Sequence, residues 1–136
     1  FHAAFHTHHL EEASTLAQSH FENKTFNKPK IPLIDGRGNI WSPWSTDTQA
    51  LFSYTLAHQI VQPYDFSCSI EVAVKEFCPD HIVLLGPGNS LGSPVAQVLI
   101  DHNWNGLTSK SDFIKSQEKD PFVISMGIEE QRNIVL

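Results

Sequence analysis

The spacing of apolar residues divides the chain into helical and extended stretches. Residues 8–22 carry Leu10, Ala13, Leu16, Ala17 and Phe21 at three- and four-residue intervals, the spacing of a helix face. Glu11 and Glu12 fall in its first turn, where the helix dipole favours negative charge, and Thr7 is the expected N-cap. Polar residues and Pro29 break that pattern. Ile31 to Ile34 then reads as a short edge strand, because Pro32 has no N–H to give a ladder. Residues 35–39 read as a turn, with Ile40 and Trp41 returning. A helix capped by Ser45 or Thr46 is expected through about Val61, where Pro63 ends it. Another opens at Asp65 or Ser67, offers Ile70, Val72, Ala73, Val74 and Phe77 as an apolar face, and stops before Pro79. Residues 81–85 are continuously apolar after His81, the pattern of a strand buried on both faces. Gly86, Pro87 and Gly88 turn the chain into a helix over 94–100. Residues 110–120 form a charged surface helix or loop, and 122–125 suit a last strand. This succession predicts an α/β layer arrangement with few strands.

Composition narrows the reading. The 136 residues suffice for one domain with a core, and 40% hydrophobic against 18% charged residues excludes wholesale disorder. A net charge of −6 and a pI near 5.7 argue against nucleic acid or an anionic membrane as partner. No apolar run approaches membrane-spanning length, and no signal peptide is visible. Cys68 and Cys78 sit on one expected helix, too far apart to bridge within it. They read as buried thiols, which suits a reducing cytoplasm. The chain opens on Phe1 and its one methionine is Met126, so it is expected to belong to a longer polypeptide.

Three constellations carry candidate chemistry. His6, at the mouth of the first helix, suits a general base, because a neutral imidazole takes up a proton near physiological pH; the bland alternative is a helix-capping histidine. His2, His6, His8 and His9 resemble a metal cluster in composition, but no single regular element puts them on one face, and neither CxxC nor HExxH accompanies them. No metal is therefore expected. Gly88-Asn89-Ser90-Leu91-Gly92 reads G-x-S-x-G between a strand and a helix, the setting of a nucleophile elbow. His102 follows it too closely for the usual acid-then-histidine order, and a glycine turn is the competing reading. Lys24, Lys28, Lys30 and Arg37 around Asp35 form a local basic island, either a solvated face or a contact for an acidic partner.

Four segments together resemble the malonyl-CoA:acyl carrier protein transacylase family, in its C-terminal half. Ala4-Phe5-His6-Thr7 with Glu11-Glu12-Ala13 is similar to the segment holding that family's catalytic histidine. Thr25 to Leu33 is similar to its T-F-N-x-P-x-x-P-hydrophobic stretch. His58 to Phe66 resembles its Q-hydrophobic-x-x-P-V-x-W segment, and Leu85-Gly86-Pro87-Gly88 its strand-ending G-P-G. From about Ile100 onward there is no diagnostic match. His8 and His9 stand where the family has a proline and an apolar residue, and the family's G-H-S-x-G motif, its carboxylate-binding arginine and the first glutamine of its oxyanion hole are not in these residues.

The resemblance implies an α/β fold over residues 1–136: the C-terminal part of the α/β-hydrolase-like large subdomain of an acyltransferase. It implies that His6 is the base and that the backbone carbonyl of Gln59 orients its imidazole. The reaction it implies is ping-pong acyl transfer from an acyl-CoA to the phosphopantetheine thiol of an acyl carrier protein, in fatty-acid or polyketide synthesis, with no tightly bound cofactor. The partners implied are the acyl-CoA, the carrier protein and the N-terminal remainder of the acyltransferase that bears the nucleophile. Phe5 beside His6 resembles the phenylalanine of malonyl-selecting domains, so malonyl-CoA is the acyl donor implied. On this reading Ser90 is structural. The alternatives from other classes are a non-catalytic module that binds a carrier protein or scaffolds an assembly, and a serine hydrolase using Ser90.

Overall fold

The computed structural model describes residues 4–135. They are mostly helical, with two small two-stranded sheets, a mixed helix-and-sheet class. Contacts divide the chain into two compact units, one ending at Ser69 and one beginning at Ile70.

In the first unit a 3-10 turn, His8–Leu10, leads into α1, Glu11–His20. Thr7 does not cap it with its side chain: the hydroxyl donates back to Ala4 O at 2.6 Å, closing the turn that contains His6. The expected packing face is also rotated. Leu16 and Phe21 are exposed, while Leu10, Ser14 and Ala17 face inward at four- and three-residue spacing. β1 (Leu33–Ile34) and β2 (Ile40–Trp41) form the expected antiparallel hairpin. Its turn is tied by Asp35, whose buried carboxylate accepts from the Arg37 and Asn39 N–H groups, the Arg37 guanidinium and Trp41 Nε1. Burial alone would raise the Asp35 pKa; the Arg37 guanidinium and the backbone donors outweigh it and hold the carboxyl below its ordinary value.

The next helix is capped by Asp47 rather than Ser45 or Thr46. Asp47 Oδ1 accepts from Gln49 N at 2.8 Å, while the Thr46 hydroxyl is used on Ser42 O at 2.6 Å. Three segments follow without a break: α2 (Thr48–Ser53), a π-helical turn (Tyr54–His58) and α3 (Gln59–Val61). Leu51 and Tyr54 of this run pack with Trp41 and Phe26, and Phe26 meets Phe52 edge to face at 5.4 Å. Asp65 Oδ1 accepts from Cys68 N and so caps α4, Phe66–Phe77.

The second unit takes in α4 from Ile70 onward and continues as strand, two helices and strand. β3 (Ile82–Leu84) pairs in parallel with β4 (Val123–Ser125), and α5 (Gly92–Asp101) and α6 (Lys110–Lys119) lie between them in sequence. The expectation of a strand buried on both faces fails for β3: Leu84 is buried, but Val83 and Leu85 are exposed. Side chains alternate across a strand, so covering one face leaves every second residue open. β4, by contrast, is buried throughout. Val123 and Ser125 point their backbone groups away from β3, and two glutamines meet them. Gln117 Oε1 accepts from Phe122 and Val123 N, its Nε2 donates to Val123 O at 2.7 Å, and Gln131 Oε1 accepts from Ser125 N at 2.7 Å. Amide side chains thus do for this edge what a further strand would do. Gln131 comes from the short helix α7, Glu129–Arg132.

The Gly86-Pro87-Gly88 turn is stitched to the end of β4. Ser125 Oγ donates to Gly88 O at 3.1 Å, and a Cβ placed on Gly127 would lie 2.6 Å from that oxygen. Backbone meets backbone here, so neither side can yield cheaply. Gly127→Ala is expected to cost about 1–3 kcal/mol, read as a lower urea midpoint. The Asp35 knot makes a pH prediction. A depressed folded pKa means its stabilisation is complete above the unfolded value and is lost as pH falls through the folded one. Unfolding free energy measured in urea should therefore drop below about pH 4 more steeply for the natural chain than for Asp35→Asn.

Candidate active site

His6 stands in the turn before α1 with its backbone in the left-handed region, φ 60°. A residue with a side chain holds that conformation at a cost on the order of 1 kcal/mol. From there the half-buried imidazole reaches 53 residues along the chain, and its Nδ1 lies 2.6 Å from the backbone carbonyl oxygen of Gln59. A carbonyl oxygen carries no proton. Nδ1 is therefore the donor, and the neutral ring keeps its lone pair on Nε2.

The Gln59 carbonyl is available for a reason written in the sequence. In a continuing helix it would accept from the N–H of residue 63, and that residue is proline. Pro63 thus ends the helix and leaves an acceptor at its last turn. Immediately before it lies the π-helical turn, in which Gln59 N bonds to Tyr54 O five residues back. Ser14 fixes the turn to α1: its buried hydroxyl donates to Leu56 O at 2.7 Å. The Tyr64 ring also lies beside His6, with centroids 5.5 Å apart.

The structure brings His6 and Gln59 together, through the backbone of Gln59. Phe5, next to His6, is exposed. The His8 and His9 rings lie side by side, tilted 41° with centroids 4.1 Å apart, and His2 lies outside the described residues. Among the described residues no three His, Cys, Asp or Glu side chains are grouped to hold a metal ion.

Ser90 occupies the turn between β3 and α5 and lines a cavity of about 480 Å³ with Leu84, Ala96, Ile100, Phe113 and Val123. Its setting is the expected strand–turn–helix, and Lys110 lines the same cavity, but the two histidines of the second unit are engaged elsewhere. His102 follows the far end of α5, about 15 Å away at 1.5 Å per residue, and pairs with Glu71 at 3.4 Å. His81, before β3, bonds to Pro121 O. Three members of the basic island are used locally: Lys24 pairs with Glu22, Lys28 donates to Trp44 O, and Arg37 holds Asp35. Cys68 is half-buried, and Cys78 lies just past α4, exposed, which corrects the reading of two buried helical thiols.

Ser14, Tyr64 and the π-helical turn were not singled out by sequence reasoning. A serine on an otherwise apolar helix face and a glutamine four residues before proline are the signals that point to two of them. No family model, no characterised protein and no solved structure matches the chain. Among the described residues no helix is long and apolar enough to cross a membrane.

Pro63→Ala supplies an N–H that competes for the Gln59 carbonyl, so the Nδ1–H population of His6, read from ¹⁵N-correlated imidazole spectra, should fall. An unchanged spectrum would mean the proline is not what frees the carbonyl.

Proposed function

We propose that this chain is the base-bearing C-terminal part of an acyl-CoA:acyl carrier protein transacylase, with malonyl-CoA as the preferred donor. The observation that carries the reading is the 2.6 Å contact between His6 Nδ1 and Gln59 O. A base needs one ring nitrogen held and the other free, and a neutral carbonyl does this without adding a charge beside the imidazole. The motif resemblance supplies the reaction class, and Ser90, whose unit has its two histidines engaged with Pro121 O and Glu71, is left as a turn residue.

The mechanism follows from that tautomer. His6 Nε2 takes the proton from the hydroxyl of a serine in the N-terminal remainder of the enzyme, and the alkoxide attacks the thioester carbonyl of the acyl-CoA. Collapse of the tetrahedral intermediate breaks the C–S bond. The imidazolium gives its proton to the departing CoA thiolate and leaves an acyl-serine ester. In the second half, Nε2 deprotonates the carrier protein's phosphopantetheine thiol. The thiolate attacks the ester, and the serine oxygen leaves with the proton from His6. The Gln59 carbonyl stabilises the imidazolium formed in each half, because Nδ1–H bonds more strongly to it when the ring is charged.

His6→Ala in the native polypeptide containing this chain is expected to lower acyl transfer by about 10²–10⁴-fold or more. Rates of carrier-protein acylation from malonyl-CoA measure it, and near-normal turnover would end the assignment.

A further inference from the structure

The position of the His6 ring depends on more than one hydrogen bond. Tyr64, tilted 40° to the imidazole, lies against Gly36 as well. A Cβ built on Gly36 would stand 2.6 Å from Tyr64 Cδ2 and 2.8 Å from Cγ, inside any permitted carbon contact. These atoms are at the base of the ring, so bending the ring tip would not relieve the overlap. Gly36 is itself fixed. It is buried in the hairpin turn, its N–H donates to Tyr54 Oη at 3.1 Å, and the neighbouring Asp35 carboxylate anchors both sides of the turn. Tyr54 in turn carries the Arg37 guanidinium over its face at 4.3 Å and begins the π-helical turn that precedes Gln59. A cavity of about 140 Å³ bounded by Asp35, Tyr54, Gln59 and Tyr64 leaves space beside the tyrosine. Close packing all round therefore does not set where the Tyr64 ring rests; the bare backbone of Gly36 does.

We infer that Gly36 and Tyr64 are positioning residues for His6. The missing side chain at residue 36 lets the Tyr64 ring settle against the hairpin. The ring there restricts rotation of the imidazole, so that Nδ1 stays on the Gln59 carbonyl and Nε2 faces outward. The hairpin turn, whose Asp35 knot looks purely structural, thereby sets the tautomer of a histidine on another element. The positioning role for catalysis rests on the transacylase reading; the tautomer effect does not.

The experiment uses both. In the full chain, ¹⁵N-correlated spectra of the His6 ring give its tautomer in the natural protein and in Gly36→Ala, Tyr64→Ala and Tyr64→Phe. Gly36→Ala and Tyr64→Ala should both reduce the Nδ1–H form, and Tyr64→Phe, which keeps the ring, should restore it. Tyr64 is half-buried, so its truncation tests the idea even if the glycine variant unfolds. In the longer native polypeptide, Tyr64→Ala should lower kcat for acyl transfer by about tenfold to a hundredfold with KM little changed. A natural tautomer in Tyr64→Ala overturns the inference whatever the activity does. A shifted tautomer without any His6-dependent acyl transfer upholds it and removes the transacylase reading instead.

Discussion

One absent hydrogen atom organises the first unit. Pro63 has no N–H, so the last turn of the helical run 48–61 ends with a carbonyl that the helix cannot use. An orphan carbonyl next to a packed core must find a donor, and His6 Nδ1 is that donor. The consequences run outward from this pair. His6 accepts a left-handed backbone to reach Gln59, and Thr7 gives up helix capping to close the turn around it. α1 starts three residues late, after a 3-10 turn, and presents Ser14 instead of Leu16 to the π-helical segment.

The parts of the fold fixed by local chemistry were legible in the sequence. The hairpin at 33–41, the end of the helical run at Pro63, the Asp65 start of α4 and the glycine turn after β3 all follow from residues acting on their own backbone. The parts decided by distant partners were not. The inward face of α1 turns on a hydrogen bond to Leu56, 42 residues away, which no helical periodicity encodes. The cap at Asp47 was missed because Ser42 takes up Thr46, a competition between two acceptable hydroxyl uses. The pairing of His6 with Gln59 entered through motif resemblance, and what spacing adds is the glutamine-to-proline interval of four. Tyr64 and Gly36 were not legible as a pair, since a glycine in a turn needs no explanation until a ring is found against it.

The second unit solves its backbone accounting differently. A two-stranded parallel sheet is too small to satisfy its own edges, and β4 is buried where water cannot do so. Gln117 and Gln131 carry donors and acceptors in amide geometry, which lets them mimic a neighbouring strand while belonging to helices. This explains why the charged stretch around residue 115 is an ordered helix: Gln117 must be held at one height against Val123, and the Ser109 cap sets where α6 begins.

The strained backbone at His6 is held by the satisfied groups around it. A left-handed histidine costs on the order of 1 kcal/mol, about what a hydrogen bond returns. The Gln59 contact therefore offsets the strain without surplus, and the turn is not held by stability of its own. What holds it is that its neighbours are each committed elsewhere: Ser14 to Leu56, Tyr54 to Gly36, and Asp35 to its four donor groups in residues 37, 39 and 41. A strained residue persists where the surroundings over-determine it. An imidazole fixed in that way through Nδ1 keeps Nε2 unheld by the Gln59 carbonyl, which is what the proposed transacylase reading asks of a base that takes a proton in each of two half-reactions.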